Sequence, residues 1–225
     1  MARRFAVGDI HGCSRTFRAL VEDVIHVQPG DRLYLLGDYI DRGPDSAAVL
    51  DMILDLQEKG VLVHPIMGNH ERMFLDALER PEAVSLWLFN GGTATLASFA
   101  VHTPRDIPER YRAFIASLPP IVVTDDYVFV HAGLDFHRKD PISETSEAEM
   151  LWGRDFEADA SLVGGRTLVV GHTVTGSEEI AASLSTGCIR IDNGCFTKGS
   201  RTSGFGSLVA LDLDARELLL QRNCD

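Results

Sequence analysis

Short apolar runs that stop at clusters of Gly, Asp, Asn and His set the rhythm of this chain. Phe5-Ala6-Val7 runs into Gly8-Asp9-Ile10-His11-Gly12. Apolar positions Phe17, Leu20, Val21 and Val24 then recur at helical spacing, which predicts a helix from Arg15 to Ile25 capped by Ser14. Leu33-Tyr34-Leu35-Leu36 is a second strand and runs directly into Gly37-Asp38-Tyr39-Ile40-Asp41-Arg42-Gly43. Asp45 or Ser46 caps the next helix, whose buried stripe is Val49, Leu50, Ile53, Leu54 and Leu56 and whose end is Gly60. The third strand, Val61 to Met67, meets Gly68-Asn69-His70-Glu71, and a helix follows through Leu78. The pattern is β-α-β-α-β-α, a sheet with crossover helices.

Residues 81 to 118 read as helical throughout, broken at Asn90-Gly91-Gly92, Pro104 and Pro108. They form a helical insertion between strands, with no linker on either side, so one domain over residues 1–225 is expected. Strands resume at Ile121–Thr124 and at Tyr127–Val130, which meets His131-Ala132-Gly133. Asp135 to Ser146 reads as loop, and a short helix near Glu147–Trp152 ends at Gly153-Arg154. Leu168-Val169-Val170 runs into Gly171-His172. The remainder reads as strands at Ile180–Leu184, Cys188–Ile191, Ser207–Leu213 and Glu217–Leu220, expected to be antiparallel because short connections leave no room for crossovers.

Charge narrows the partners. Lys plus Arg number 21 and Asp plus Glu 33, a formal charge of −12 over 225 residues. That balance argues against nucleic acid or an anionic membrane as partner, since both are bound through a basic footprint. No window approaches the roughly 18 apolar residues of a membrane span, and the N-terminus has no signal-peptide core. A cytoplasmic location is expected, with Cys13, Cys188, Cys195 and Cys224 as reduced thiols.

Five strands thus end in polar blocks: Asp9/His11, Asp38/Asp41/Arg42, Asn69/His70, His131 and His172. In α/β sheets ligands bind beyond the carboxyl ends of the strands, so blocks scattered in sequence converge in space. Mixed Asp, His and Asn donors suit Mn, Fe or Zn better than calcium. The set is too large for one tetrahedral centre and suits two ions sharing a carboxylate. Such a pair clamps a phosphoryl group and activates a bridging hydroxide for in-line attack, so no enzyme nucleophile is required. Arg42 and Arg154 would neutralise the phosphoryl oxygens. His70, beside Asn69 at a helix start, is the candidate acid for the leaving group, with Asp41 to orient it and keep it protonated.

The ordered blocks Gly8-Asp9-Ile10-His11-Gly12, Gly37 to Gly43, Gly68-Asn69-His70-Glu71, His131-Ala132-Gly133 and Gly171-His172 resemble the motif series of the PPP-type (calcineurin-like) metallophosphoesterases. Trp87 to Gly92 with Thr95-Leu96, and Leu151 to Arg154, resemble the small bacterial members of that group. The resemblance implies an α/β fold, a central β-sandwich of two mixed sheets flanked by helices. It implies one metal held by Asp9, His11 and Asp38 and a second held by Asp38, Asn69, His131 and His172. Phosphate would meet Arg42, Asn69 and Arg154. Manganese is the expected ion, with Fe, Zn, Co and Ni also compatible with the donors. Asp192-Asn193-Gly194-Cys195 stands where bacterial relatives carry Asp-Thr-Gly-Ala.

The first functional expectation is a protein serine/threonine phosphatase that also takes small phosphomonoesters. The alternative is a symmetrical dinucleoside polyphosphate hydrolase, against which a chain shorter than the usual tetraphosphatase counts. A phosphoprotein-binding module without turnover should have lost His70, Asp41 or Arg42, and all are present. Glu71 is expected to be a first-turn helix acid, and Trp87 and Trp152 to be packing residues.

Overall fold

A computed structural model of the chain describes residues 2–154, 156–197 and 204–225. Ten strands occur among them: β1 (Arg4–Val7), β2 (Arg32–Leu35), β3 (Leu62–Pro65), β4 (Ile121–Val123), β5 (Tyr127–Val130), β6 (Thr167–Val170), β7 (Cys188–Arg190), β8 (Asp192–Asn193), β9 (Ser207–Asp212) and β10 (Glu217–Arg222). One sheet has the order β10-β9-β1-β2-β3, with β8 also paired to β9; the other runs β4-β5-β6-β7. Both are mixed. β1, β2 and β3 are parallel while β9 is antiparallel to β1, β8 and β10; β5, β6 and β7 are parallel while β4 is antiparallel to β5. The α/β sandwich of two mixed sheets flanked by helices is therefore the observed fold.

Strand alternation explains the layers. Side chains one residue apart point to opposite faces, and here both faces are buried. Ala6, Tyr34, Phe129 and Val169 meet between the sheets. Their neighbours Phe5, Val7, Leu33 and Leu35 face the helices of the first sheet, and Val128, Val130, Leu168 and Val170 face the outer side of the second. Tyr34 and Phe129 stack across the middle layer with ring centroids 4.1 Å apart, a pairing worth about 0.5–1.5 kcal/mol beyond its buried area.

The first three crossovers follow the sequence pattern: α1 (Ser14–Ala19), continued by a wider π turn to Val24, then α2 (Ser46–Glu58) and α3 (Asn69–Glu79). Asp45 is the cap of α2, accepting from Ala48 N at 3.0 Å. Ser14 does not cap α1. The Asp225 carboxylate does so instead, accepting from Arg15 N and Thr16 N, both at 3.0 Å. Residues 81 to 118 are a succession of short helices.

Two expectations fail. Residues 180–184 do not form a strand; Ser177–Ser183 is a helix. It is the crossover that lets β6 and β7 pair in parallel, Leu168 opposite Cys188, so the antiparallel reading holds for β8, β9 and β10 but not for β7. The polar loop 135–146 also contains a short helix, Pro141–Glu144. No helix among the described residues is long and apolar enough to cross a membrane.

Candidate active site

The loops after β1, β2, β3, β5 and β6 meet at one end of the two sheets, and their backbone is strained. His11, Asp38, Asp41, Arg42 and His172 all have positive φ, between 48° and 71°. Such a conformation costs a non-glycine residue of order 1–3 kcal/mol and gathers where function holds it. Close backbone contact does the holding. A Cβ on Gly68 would lie 2.3 Å from Asp38 N, and one on Gly171 would lie 2.1 Å from Asp9 Oδ1.

Glu71 is the main support of the central loop. Its Oε2 accepts from Asp38 N at 2.8 Å and Gly68 N at 3.1 Å, and its Oε1 accepts from Tyr39 N at 2.8 Å and Ile40 N at 3.3 Å. Burial and the nearby Asp38 charge push its carboxyl up to about 8, against the pull of these backbone donors. The helix-dipole role expected of Glu71 was too small a part: it fixes the loop that carries Asp38.

His70 and Asp41 form a buried pair. Asp41 Oδ2 lies 2.8 Å from His70 Nδ1 and also accepts from Trp87 Nε1 at 3.0 Å. Asp41 Oδ1 accepts from Thr95 Oγ1 at 2.6 Å, and Thr95 Oγ1 in turn accepts from Asp41 N at 2.9 Å. Burial pushes the Asp41 carboxyl upward while His70 and Thr95 pull it back. Burial pulls the His70 imidazole down, but Asp38 and Asp41 outweigh it and hold its pKa above the ordinary value. With Nδ1 committed to Asp41, Nε2 is left buried and unpartnered. Trp87 is thus more than packing, and Thr95 was missed as a site residue. The only sequence signal for either was the likeness of their segment to small bacterial phosphatases.

The remaining donors fit divalent cations. Asp38 turns one oxygen to each side: Oδ2 is 3.4 Å from His11 Nε2 and 4.0 Å from His70 Nε2, and Oδ1 is 3.5 Å from His131 Nε2. Two groups of metal-competent atoms result, His11/Asp38/His70 and Asp38/His131/His172, with Asp38 common to both. His131 Nδ1 must donate to the Leu36 carbonyl at 2.7 Å, which leaves a lone pair on Nε2. That lone pair faces Asn69 Oδ1 at 2.9 Å. Burial lowers the His131 pKa and keeps Nε2 an acceptor, open either to the Asn69 amide turned to present Nδ2 or to a cation. His172 also approaches Asn69 Oδ1, through Nδ1 at 3.0 Å, and burial followed by the neighbouring His131 lowers it to about 3. Asp9 Oδ1, His70 Nε2 and His172 Nε2 are buried without any hydrogen-bond partner. Native proteins rarely leave such atoms unpaired unless an ion or water takes them.

Asp9 joins neither group. Its Oδ2 accepts from His172 N at 3.0 Å and its Oδ1 is one of the unpartnered atoms. His70 Nε2 is the third atom of the first group, 4.0 Å from Asp38 Oδ2. Arg42 lies over the Phe196 ring, 4.5 Å from its centroid, and its Nη1 is 2.7 Å from His11 Nε2. Arg154 is exposed and shares a cleft of about 250 Å³ with Asp38, Arg42, Asn69 and His172. Trp152 lines the same cleft and is 41% exposed, so it is a rim residue and not a core one. The 192–195 block is a brace. Thr175 N donates to Asp192 O at 2.8 Å and Asn193 Nδ2 to Thr175 O at 2.9 Å, tying down the loop that carries His172.

Imidazole donors grouped around one shared aspartate, in a cleft that two arginines also line, are a donor set suited to two divalent ions and a phosphoryl group. Comparison with known proteins agrees. Residues 2–190 match the family model of the calcineurin-like phosphoesterases, and the chain belongs to that family. The family implies a dinuclear divalent metal site, for which the two groups around Asp38 are the candidate ligands. A symmetrical bis(5'-nucleosyl)-tetraphosphatase from Nitrosospira multiformis is 34% identical over 133 residues, which are 58% of this chain and 43% of that protein. Serine/threonine-protein phosphatase 1 of Salmonella typhimurium is 40% identical over 88 residues, 39% of this chain and 38% of that protein. The match thus spans less than half the length of either relative. A crystal structure assigned provisionally to a diadenosine tetraphosphatase superposes with a TM-score of 0.71 at 23% identity, covering 97% of this chain and 92% of that one.

Proposed function

We propose that this chain is a metal-dependent hydrolase of dinucleoside polyphosphates that cuts diadenosine tetraphosphate symmetrically, working as one domain. The observation that carries the hydrolase reading is Asp38 shared between two groups of metal-competent atoms, His11/Asp38/His70 and Asp38/His131/His172, in a cleft that Arg42 and Arg154 also line. The likeness to the Nitrosospira tetraphosphatase supports the substrate class. The protein phosphatase, our first expectation from sequence, becomes the second reading, favoured by the likeness to the Salmonella phosphatase.

Asp9, His11, Asp38, Asn69, His131 and His172 would hold two divalent ions, with Asp38 shared, and manganese is the ion to test first. When bound, the ions supply Lewis-acid activation of water and neutralise phosphoryl charge. Arg42 and Arg154 pair with phosphoryl oxygens and fix the scissile phosphorus over Asp38. Arg42 is held for this by its stack on Phe196. His70 Nε2 delivers a proton to the leaving oxygen while Asp41 holds Nδ1 and balances the imidazolium charge. A nucleoside diphosphate leaves as a weak base, so the proton from His70 matters less for the anhydride than for an alkyl ester.

The test is product identification with manganese. One diadenosine tetraphosphate and one water should give two ADP. Formation of AMP and ATP would overturn symmetrical cleavage. Faster phosphate release from a phosphoserine peptide, with the dinucleotide untouched, would establish the second reading instead.

A further inference from the structure

A second and larger cavity, of about 860 Å³, adjoins the catalytic cleft. Arg154 lines both spaces. Beyond Arg154 the character of the wall changes. Phe136 and Phe156 stack there, with ring centroids 5.9 Å apart and planes at 22°. Phe156 is braced from behind. A Cβ on Gly133 would lie 2.3 Å from its ring, and the Arg190 guanidinium lies 5.3 Å from its centroid. Beyond Arg154 the polar lining is Asp135, Glu157 and Asp159 with His137. Asp135 is paired with Arg138 at 2.8 Å; Glu157 has no ion-pair partner among the described residues.

These features select a class of occupant. Asp135 is neutralised by Arg138 and Asp159 accepts from Ser161, which leaves Glu157 to disfavour a polyphosphate here and Arg154 as the cation for the phosphates. An uncharged group with an aromatic face and N–H and O–H donors meets complementary walls on every side. The volume lies within the usual range for small-molecule sites. We infer that this cavity is the subsite for one nucleoside end of the dinucleotide. Its base stacks on Phe136, which Phe156 backs, and its ribose hydroxyls or exocyclic amine donate to Glu157. Arg154 marks the boundary between nucleoside and phosphate chain. The inference rests on the dinucleotide reading above and adds where the substrate's specificity is set.

Phe136 is half-buried and Glu157 is exposed, and neither lines the cleft around Asp38. The experiment compares full-length wild type, Phe136→Ala and Glu157→Lys, each loaded with manganese, on diadenosine tetraphosphate and on p-nitrophenyl phosphate. Base–aromatic stacking predicts that Phe136→Ala raises KM for the dinucleotide by about fivefold to a hundredfold. Glu157→Lys should shift the same KM upward, and neither variant should change turnover of the aryl phosphate by more than about twofold. An unchanged dinucleotide KM in both variants overturns the subsite, as does an equal loss on both substrates. Adenosine alone gives a readout free of any folding defect. It should inhibit dinucleotide cleavage competitively in wild type and less in Phe136→Ala; equal inhibition of both proteins overturns the assignment. If wild type cleaves p-nitrophenyl phosphate but not the dinucleotide, the substrate reading fails and not merely its subsite.

Discussion

The inner loops and the rim of this site are built in opposite ways. Around Asp38 and Asp41, backbone N–H groups are matched to buried side-chain acceptors, Glu71 under the first half of the loop and Thr95 behind the second. At the rim, Trp152, Arg154 and Glu157 are exposed, and the local order comes from rings stacked on rings. The inner tier leaves its residues little freedom, which suits groups whose relative positions set a rate. The rim can change without disturbing that arrangement. With the proposed subsite at the rim, relatives named for different substrates can share one centre and differ outside it.

Asp38 is the hardest test of that contrast. Asp38→Asn should cost more than the roughly 10- to 100-fold loss in metal affinity seen when an outer partner of a ligand is removed, because Asp38 faces both groups. Metal analysis of the purified variant should find it depleted and its turnover lost on every substrate. Retention of two ions per chain would mean that the shared role is misassigned.

Next in size is His70→Asn. Turnover of phenyl phosphate, a poor leaving group, should fall by about 10² to 10⁴, and that of diadenosine tetraphosphate by clearly less. The sign of the pH effect follows from the direction of the shift. His70 must be protonated to donate, and its neighbours hold its pKa above the ordinary imidazole value of about 6.5. Wild-type turnover of phenyl phosphate should therefore persist past that pH and decline as pH rises through the elevated pKa. The decline should be missing from the variant's profile. An identical limb in both proteins would remove His70 from the acid role.

Smallest is Thr95→Val, which keeps the shape but removes the hydroxyl between Asp41 N and Asp41 Oδ1. Leaving those buried groups partly unpaired should destabilise the fold by about 1–3 kcal/mol. Denaturant unfolding measures this. Turnover should fall less than in His70→Asn, with KM for the dinucleotide unchanged. A shift in KM alone would mean that the inner tier and the rim are not separable.

Much of this was readable in the chain itself. Strand ends carrying Asp9, Asp38, Asn69, His131 and His172 announce themselves locally, because a polar residue follows an apolar run, across a glycine in every case but His131. The supports did not. Glu71 acts on backbone groups some 30 residues earlier, and Thr95 acts on a carboxylate 54 residues away; no local pattern encodes such partners. Residues 180–184 misled for a related reason. An apolar stretch bounded by polar residues suits a strand or a short helix, and only the parallel pairing of β6 with β7 decides between them.

The left-handed backbone at His11, Asp38, Asp41, Arg42 and His172 has a consequence for descent. Glycine would meet that geometry more easily at each position, but Asp38 and Asp41 also satisfy buried donors on His70, Trp87 and Thr95. Arg42 and His172, the two that are not fully buried, carry the least of that structural duty. In a lineage released from selection for turnover, those two positions are where glycine or asparagine should appear first.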